Sequence, residues 1–139
     1  MEENIRSILN QFHSKKKIGS DTQKSDAFSN NEASSSEIPD VFFDLVIHQF
    51  KINRSEIALL MYLYRQIWCR PNLYKSHGIG PLNSYAQMAL QLHFTQDELA
   101  QNLSSLQNFG FIETVRSGQY FVRKYFTEEL DLNYGQDYD

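Results

Sequence analysis

The side chains in this chain best suited to chemistry are uncharged hydrogen-bonding groups, and several of them share one predicted helix over residues 96–108. We expect five of them to point outward from that helix. They are the candidate base contacts Gln96, Gln101, Asn102 and Ser105, together with Asn108. An amide side chain can donate a hydrogen bond to an adenine base and accept one from it at the same time. The helix could therefore read base edges in a nucleic-acid groove.

Cations surround this helix in the sequence but do not occur on it. No Lys or Arg lies between Lys75 and Arg116. Because phosphate groups are bound mainly by cations, contacts to a nucleic-acid backbone would have to come from other segments. The predicted contacts are Arg54, Lys75, Arg116, Arg123 and Lys124. A polar helix face can equally be a solvated surface, and this alternative stays open.

The net charge of −4 is unevenly distributed along the chain. Residues 51–124 carry eight Lys and Arg against four Asp and Glu, a balance of +4, whereas residues 128–139 carry five acids and no base. Lys15–Lys17 adds a basic cluster near the start. A polyanion responds to the local potential rather than to the total charge, so the total of −4 does not exclude nucleic-acid binding.

Catalytic and metal-binding patterns are missing from the sequence. The histidines are His13, His48, His77 and His93, and none of them stands at a metal-ligand spacing from another. The single cysteine, Cys69, has no neighbour that marks it as a nucleophile. We therefore expect a protein without enzymatic activity, cofactor or metal.

Apolar runs are too short for a membrane protein. None approaches the roughly 20 residues that a helix needs to cross a bilayer. The N-terminus lacks the apolar region of a signal peptide, and one cysteine cannot form an intrachain disulfide. We expect a cytoplasmic protein that does not bind membranes.

Two helices and a turn must position the amide side chains. A first helix is predicted from the helical spacing of Tyr85, Met88, Ala89 and Leu92, with Asn83 or Ser84 as its cap. After a turn at 91–94, the segment 95–98 (TQDE) matches a capping box and begins the second helix. Gly110 should end that helix in a left-handed conformation.

A β-hairpin is predicted directly after this pair of helices. Residues 111–115 form the first β-prone run, 116–119 a turn, and 120–126 the return strand. On a regular strand Arg123 and Lys124 would point to opposite faces, so they could not both contact one line of phosphates. Arg116, at the tip, is the better candidate for a backbone contact.

A longer helix is predicted upstream. It begins at the cap Asn53 with Glu56 three residues later, and Pro71 should end it. The run 41–47 fits a helix or a strand, with helix favoured, and residues 72–81 read as a loop. Aromatic side chains are expected to fill much of the core. They are Phe42, Phe43, Tyr64, Trp68, Phe94, Phe109, Phe111 and Phe121.

The predicted elements make an α+β fold that is mainly α, with three or four helices and a C-terminal β-hairpin. We divide the chain into an amphipathic segment at 1–18, a flexible Ser- and Asn-rich linker at 19–39, a folded domain at 40–127 and an acidic tail at 128–139. The last residues of the tail are expected to fray.

The run 50–126 resembles the winged-helix domain at the N-terminus of DnaD-like primosome proteins and phage replisome organisers. It also resembles winged-helix transcription regulators. The resemblance is carried by the first helix, SEIALLMYLYRQIW, and by the stretch SYAQMALQLHFTQDELAQNLSSLQNFGFIE with the hairpin after it. It covers somewhat over half of the chain and implies a winged helix-turn-helix whose second motif helix enters the major groove of DNA.

The sequence is compatible with two functions. The first is non-enzymatic binding of double-stranded DNA in transcription regulation or replication initiation. The second is a protein–protein adaptor or dimerising winged helix that does not bind DNA. Homodimerisation is compatible with both functions, because a two-fold protein matches a two-fold site.

The N-terminal segment carries a helical stripe that predicts a protein partner. The stripe consists of Ile5, Ile8, Leu9 and Phe12. A short apolar stripe followed by a flexible tether is typical of a peptide that folds into the groove of a partner. A helix that folds back onto its own domain, or a disordered segment, is the alternative.

Overall fold

The computed structural model describes residues 33–139, which form a mainly helical α+β fold with a two-stranded antiparallel hairpin. The predicted class is therefore confirmed, and the arrangement is compatible with a winged helix. The elements in chain order are a π-helical turn (Phe42–Val46) that runs into α1 (Ile47–Phe50), α2 (Arg54–Tyr64) with a π-helical continuation (Arg65–Cys69), a 3-10 turn (Lys75–His77), α3 (Tyr85–Leu92), α4 (Gln96–Phe109), β1 (Ile112–Arg116), β2 (Gln119–Val122) and α5 (Glu128–Asn133). The stripe Ile5, Ile8, Leu9 and Phe12 lies outside the described residues.

Helix starts follow the capping residues that the sequence predicts. At α2, the Asn53 side chain accepts from the Glu56 amide at 2.8 Å and the Glu56 carboxylate accepts from the Asn53 amide at 2.9 Å. Thr95 and Glu98 form the same reciprocal pair at α4. These bonds satisfy amides that have no partner within the helix, so local sequence determines where each helix begins.

Leucine side chains of α2 and α4 form the centre of the core. Leu59, Leu60 and Leu63 of α2 are buried, as are Leu99, Leu103 and Leu106 of α4, and the two helices pack against each other. Buried residues of α3 and of the hairpin surround this contact; they are Met88, Ala89, Ile112, Tyr120 and Val122. Both apolar stripes recur at three- and four-residue spacing, as a helix that buries one face requires.

The return strand is shorter than predicted. It ends at Val122, and Phe126 adopts a positive φ of 77° instead of continuing the strand. The Phe126 ring is fully buried and stacks on Tyr64 with ring centroids 5.1 Å apart. Burial of that ring in the core turns the chain out of the sheet, so the expectation of a strand up to residue 126 is wrong.

The segment predicted as a loop before α3 also contacts the hairpin. Ile79 forms an isolated antiparallel bridge with Phe121. The Gly80 amide donates to the Tyr120 carbonyl at 3.0 Å, and the Val122 amide donates to the Gly78 carbonyl at 2.9 Å. β2 is therefore hydrogen-bonded on both edges. The loop-forming residues at 72–81 do not predict this contact from sequence.

Phe43 is the clear exception among the aromatic side chains expected in the core. It is 52% exposed, while Phe42 beside it is buried. Successive residues of a helical turn point in different directions, so only one of the two can face the core. Phe42, Tyr64 and Phe111 are fully buried as expected. The remaining members are partly buried; they are Trp68, Phe94, Phe109 and Phe121.

The acidic C-terminal residues pack on the domain. Thr127 caps α5, and Leu130 packs against the core. Further along, the Tyr138 ring lies 4.9 Å from Phe121 and 6.2 Å from Trp68 between ring centroids. The expectation of frayed last residues is therefore wrong for Tyr138, because aromatic packing holds a segment that its charge alone would leave in solvent.

The hairpin turn is held against the start of α3 by a close backbone contact. Gly118 has a φ of +86°, and a Cβ at this position would lie 2.1 Å from the Asn83 carbonyl oxygen. We expect Gly118→Ala to lower the free energy of unfolding by about 2–4 kcal/mol, through left-handed strain and the forced shift of residue 83. Chemical denaturation monitored by circular dichroism measures the change.

Gly110 provides the matched control for this substitution. It has the same φ of +86°, but a Cβ there meets nothing within 4 Å. Gly110→Ala should lower stability by about 1–2 kcal/mol, the conformational contribution alone. Equal effects of the two substitutions would show that the approach of residue 118 to residue 83 is not a tight contact.

Candidate nucleic-acid interface

The four predicted base-reading side chains on α4 do not all face solvent. Gln96 and Gln101 are exposed, Ser105 is half-buried, and Asn102 is only 8% exposed. Asn102 follows Leu99 by three residues and therefore shares its inward face. The expectation that Asn102 points outward is wrong, because the helical period of the leucine stripe places it inside.

The outward face of α4 contains an acid beside the predicted amides. Asp97, Gln101, Ser104 and Asn108 are all exposed. They recur at i, i+4, i+7 and i+11, so they lie in one row along the helix. A carboxylate at the N-terminal end of this row favours the helix dipole but repels phosphate. The face is therefore polar with one negative charge.

A pair of hydrogen bonds joins α4 to the first strand of the hairpin. The Gln107 carbonyl oxygen Oε1 accepts from the Thr114 amide at 3.2 Å and from the Thr114 hydroxyl at 2.8 Å. Sequence reasoning did not select Gln107. Its position offers a signal, since it is a polar residue in the last turn of α4, five residues before a strand that must turn back beside the helix.

These bonds place the last turn of α4 beside β1, and we call the exposed residues of the two elements the α4–β1 surface. They are Gln96, Asp97, Glu98, Ala100, Gln101, Ser104, Gln107 and Asn108 of α4 with Glu113, Thr114, Val115 and Arg116 of β1. The formal charges of this surface are three carboxylates and one guanidinium. Hydrogen-bonding groups for base edges are abundant on it, whereas cations for phosphates are scarce.

Arg116 lies at the end of the hairpin, as predicted. Its Nε donates to the Gln119 side chain at 2.9 Å, and Gln119 in turn donates to the Gly80 carbonyl at 3.0 Å. The strand register shifts between Thr114 and Arg116, which marks a bulge. This side chain is exposed while its stem is oriented by a buried neighbour, an arrangement that suits a contact with an anion.

Arg123 and Lys124 are engaged within the domain. The Arg123 guanidinium pairs with the Asp131 carboxylate at 3.3 Å, with the two side chains 19% and 4% exposed. Its guanidinium carbon also lies 5.3 Å from the centre of the Phe121 ring. The Lys124 ammonium lies 5.7 Å from the Trp68 ring centre. Both cations serve the packing of the C-terminal segment, in contrast to the exposed Arg116.

Asp131 is the centre of this packing. Besides Arg123, its carboxylate accepts from the Tyr125 amide at 2.9 Å and from the Tyr138 hydroxyl at 2.6 Å. The Tyr138 hydroxyl accepts in turn from the Lys124 amide at 2.8 Å. Burial, followed by the Asp131 carboxylate, raises the pKa of Tyr138 above its ordinary value, so the hydroxyl remains a protonated donor.

The last two predicted phosphate contacts lie at different ends of α2. Arg54 is the exposed first residue of that helix, and Lys75 is exposed in the 3-10 turn beyond its other end. The helical stretch from residue 54 to residue 69 is about 22 Å long at the α-helical rise. The structure therefore does not bring the predicted cations together in one cluster.

No cluster of three or more metal-ligand side chains occurs among residues 33–139. In the same part of the chain, no helix is both long enough and apolar enough to cross a membrane.

Comparisons with known proteins do not add to this geometry. No protein-family model matches the chain, and no curated protein or solved structure matches it either.

The Asp131 contacts predict a large effect of a small substitution. Asp131→Asn removes the negative charge beside Arg123. It also replaces one carboxylate oxygen by an NH₂ group, which cannot accept the hydrogen bonds that Arg123, Tyr125 and Tyr138 donate to the carboxylate. We expect the free energy of unfolding to fall by about 2 kcal/mol, since a buried pair that loses one partner leaves the other uncompensated. Thermal and chemical denaturation measure it.

Asp137→Asn is the chemically matched control, because Asp137 is exposed on the same C-terminal segment. It should leave stability within about 0.5 kcal/mol of the unaltered chain. If Asp131→Asn were equally mild, the carboxylate would not be what holds the C-terminal segment on the domain.

Proposed function

We propose that this chain is a winged-helix protein that binds double-stranded DNA without catalysing a reaction, in transcription regulation or replication initiation. The order of elements supports the fold assignment: α2, then the α3–α4 pair joined by a short turn, then the hairpin. The Ile79 bridge adds backbone hydrogen bonds along the second edge of β2, which supports the hairpin.

The observation that carries the proposal is the bond between Gln107 and Thr114. It holds the last turn of α4, where the polar row ends at Asn108, beside the first strand of the hairpin. A helix docked in the major groove would then place the hairpin, with Arg116 at its end, beside the adjacent backbone. Gln101 and Asn108 supply amides for base edges on the same row.

Electrostatics limits the strength expected of this binding. The α4–β1 surface offers one cation, Arg116, with Arg54 and Lys75 exposed on other elements. Each phosphate that a protein neutralises contributes about one unit to the salt slope, so the slope should be shallow. Lys15–Lys17, outside the described residues, would add to it if that cluster contacts DNA.

The charge of the surface itself favours a second candidate, an adaptor that docks on protein. Asp97 stands in the outward row of α4 and Glu113 on β1, and Arg123 is held by Asp131. A polar surface with more carboxylates than cations suits a basic protein partner better than a polyanion. In this function residues 1–18 would recruit another component through the stripe that contains Ile5 and Phe12.

A salt titration of DNA binding separates the two candidates. We expect the intact chain to retard duplex DNA at about 50 mM salt and to lose affinity as salt rises. Arg116→Gln should weaken binding to all sequences several-fold and reduce the salt slope by about one unit. Gln101→Ala should instead change the preference among sequences. Fluorescence anisotropy with labelled duplexes measures both quantities.

Lys51→Gln is the matched control, because Lys51 is an exposed cation at the end of α1 and belongs to neither α4 nor β1. It should bind DNA as the unaltered chain does. An intact chain that fails to retard duplex DNA even at low salt would reject the first candidate. Recovery of a protein that binds the intact chain but not Gln101→Ala or Arg116→Gln would then support the adaptor.

A further inference from the structure

A groove lies between α2 and α3. The described residues that line it are Ala58, Met61, Tyr62, Arg65, Gln66, Arg70, Gln91 and Leu92. Its volume is about 600 Å³, and the small and apolar members of this set give it apolar surface. Two of the lining side chains are arginines and none is an acid, so the groove combines apolar surface with positive charge.

Hydrogen bonds between side chains hold the two walls of the groove in place. The Tyr62 hydroxyl of α2 donates to the Gln91 side chain of α3 at 2.7 Å. Gln66 and Asn83 exchange two amide hydrogen bonds at 2.9 and 3.1 Å, which fixes the approach to α3 against the end of α2. The groove is therefore already formed in the single chain, as is usual for a binding site.

The C-terminal helix α5 presents chemistry that complements this groove. Its exposed face includes Glu128, Glu129 and Leu132, and Leu132 is 74% exposed. The three residues lie within about one helical turn of one another, so two carboxylates flank one apolar side chain. Residues 128–139 carry five acids and no base.

The helix α5 cannot turn this face into the groove of its own chain. Its opposite face is anchored by Leu130, which packs on the core, and by Asp131, which holds Arg123, Tyr125 and Tyr138. Releasing the helix would leave the Arg123 guanidinium without its buried partner. An occupant with this chemistry therefore has to come from another molecule.

We propose that two copies of this chain associate by seating the exposed face of α5 of each copy in the α2–α3 groove of the other. Leu132 lies on the apolar lining, and Glu128 and Glu129 face Arg65. A two-fold axis makes the contact twice, which closes the assembly as a dimer. Exposed ion pairs alone contribute little, so both the leucine and the charges are required.

The test is the oligomeric state of the full chain without DNA, and it does not depend on the proposed DNA binding. Analytical ultracentrifugation should show a concentration-dependent dimer that weakens between about 50 mM and about 500 mM salt. Arg65→Glu should raise the dissociation constant about tenfold or more, because like charges then face each other across the contact. Glu128→Lys combined with Glu129→Lys should do the same.

Mixing the two charge-reversed chains provides the sharpest test. Each chain alone repels its own copies. In a mixture, the groove that carries Arg65→Glu is acidic and accepts the α5 helix that carries the two lysine substitutions, while the second contact of the dimer joins an unaltered groove to an unaltered helix. An equimolar mixture should therefore regain dimers. A mixture that stays monomeric would overturn the proposal.

Two further variants separate this contact from general effects of charge and folding. Lys51→Glu changes the net charge as Arg65→Glu does, at an exposed site outside the groove, and should leave the dimer unchanged. Leu132→Ser alters an exposed side chain, so it should keep the circular dichroism spectrum and still weaken the dimer. A monomeric unaltered chain, or a Leu132→Ser chain that dimerises normally, would also contradict the proposed contact.

Discussion

The contact between the leucine stripes of α2 and α4 is the constraint on which the rest of the structure depends. Once Leu99, Leu103 and Leu106 face α2, the helical period decides where every other α4 side chain points. It moves Asn102 to the inside and Asp97 to the outside. Packing of the core therefore determines which α4 side chains could contact DNA bases. Asn102, whose amide would suit a base contact, is buried instead.

A second constraint is the burial of the Asp131 carboxylate. It gathers Arg123, Tyr125 and Tyr138 at one point and so joins the acidic end of the chain to the basic body. In the sequence these regions look like separate charged segments. In the structure a cation of the body neutralises an acid of the end, which leaves fewer cations to attract a polyanion. The number of exposed cations that remain, more than the total charge, therefore decides whether DNA or a protein is the better partner.

The features that sequence reasoning predicted well are local. The capping boxes at Asn53 and Thr95 involve residues three apart, and the left-handed end of α4 at Gly110 needs only the absence of a Cβ. Each follows from steric and hydrogen-bonding rules that operate within one turn. The boundaries of α2, α3 and α4 could be placed for this reason.

The features that it missed depend on contacts between distant parts of the chain. The Phe126 ring ends the return strand because it stacks on Tyr64, which lies 62 positions earlier in the sequence. The Ile79 bridge needs the hairpin to exist before it can form. Within the site, the sequence predicts Arg123 as a DNA contact, and only the fold reveals its partner Asp131. Pairings of this kind are set by tertiary packing, which periodicity and propensity do not encode.

The two faces of α2 make different contacts. Ala58, Tyr62 and Arg65 recur at i, i+4 and i+7 and line the groove, whereas Leu59, Leu60 and Leu63 lie on the opposite side and pack toward α4. A partner seated in the groove would thus lie on the side of α2 that faces away from its leucine contact with α4. A two-fold assembly would carry two α4–β1 surfaces, which is the number that a two-fold DNA site or a two-fold protein partner requires. A dimer formed through the groove would present two weakly binding α4–β1 surfaces to one partner. Once the first surface has bound, binding of the second becomes intramolecular, so the affinity rises without any additional cation.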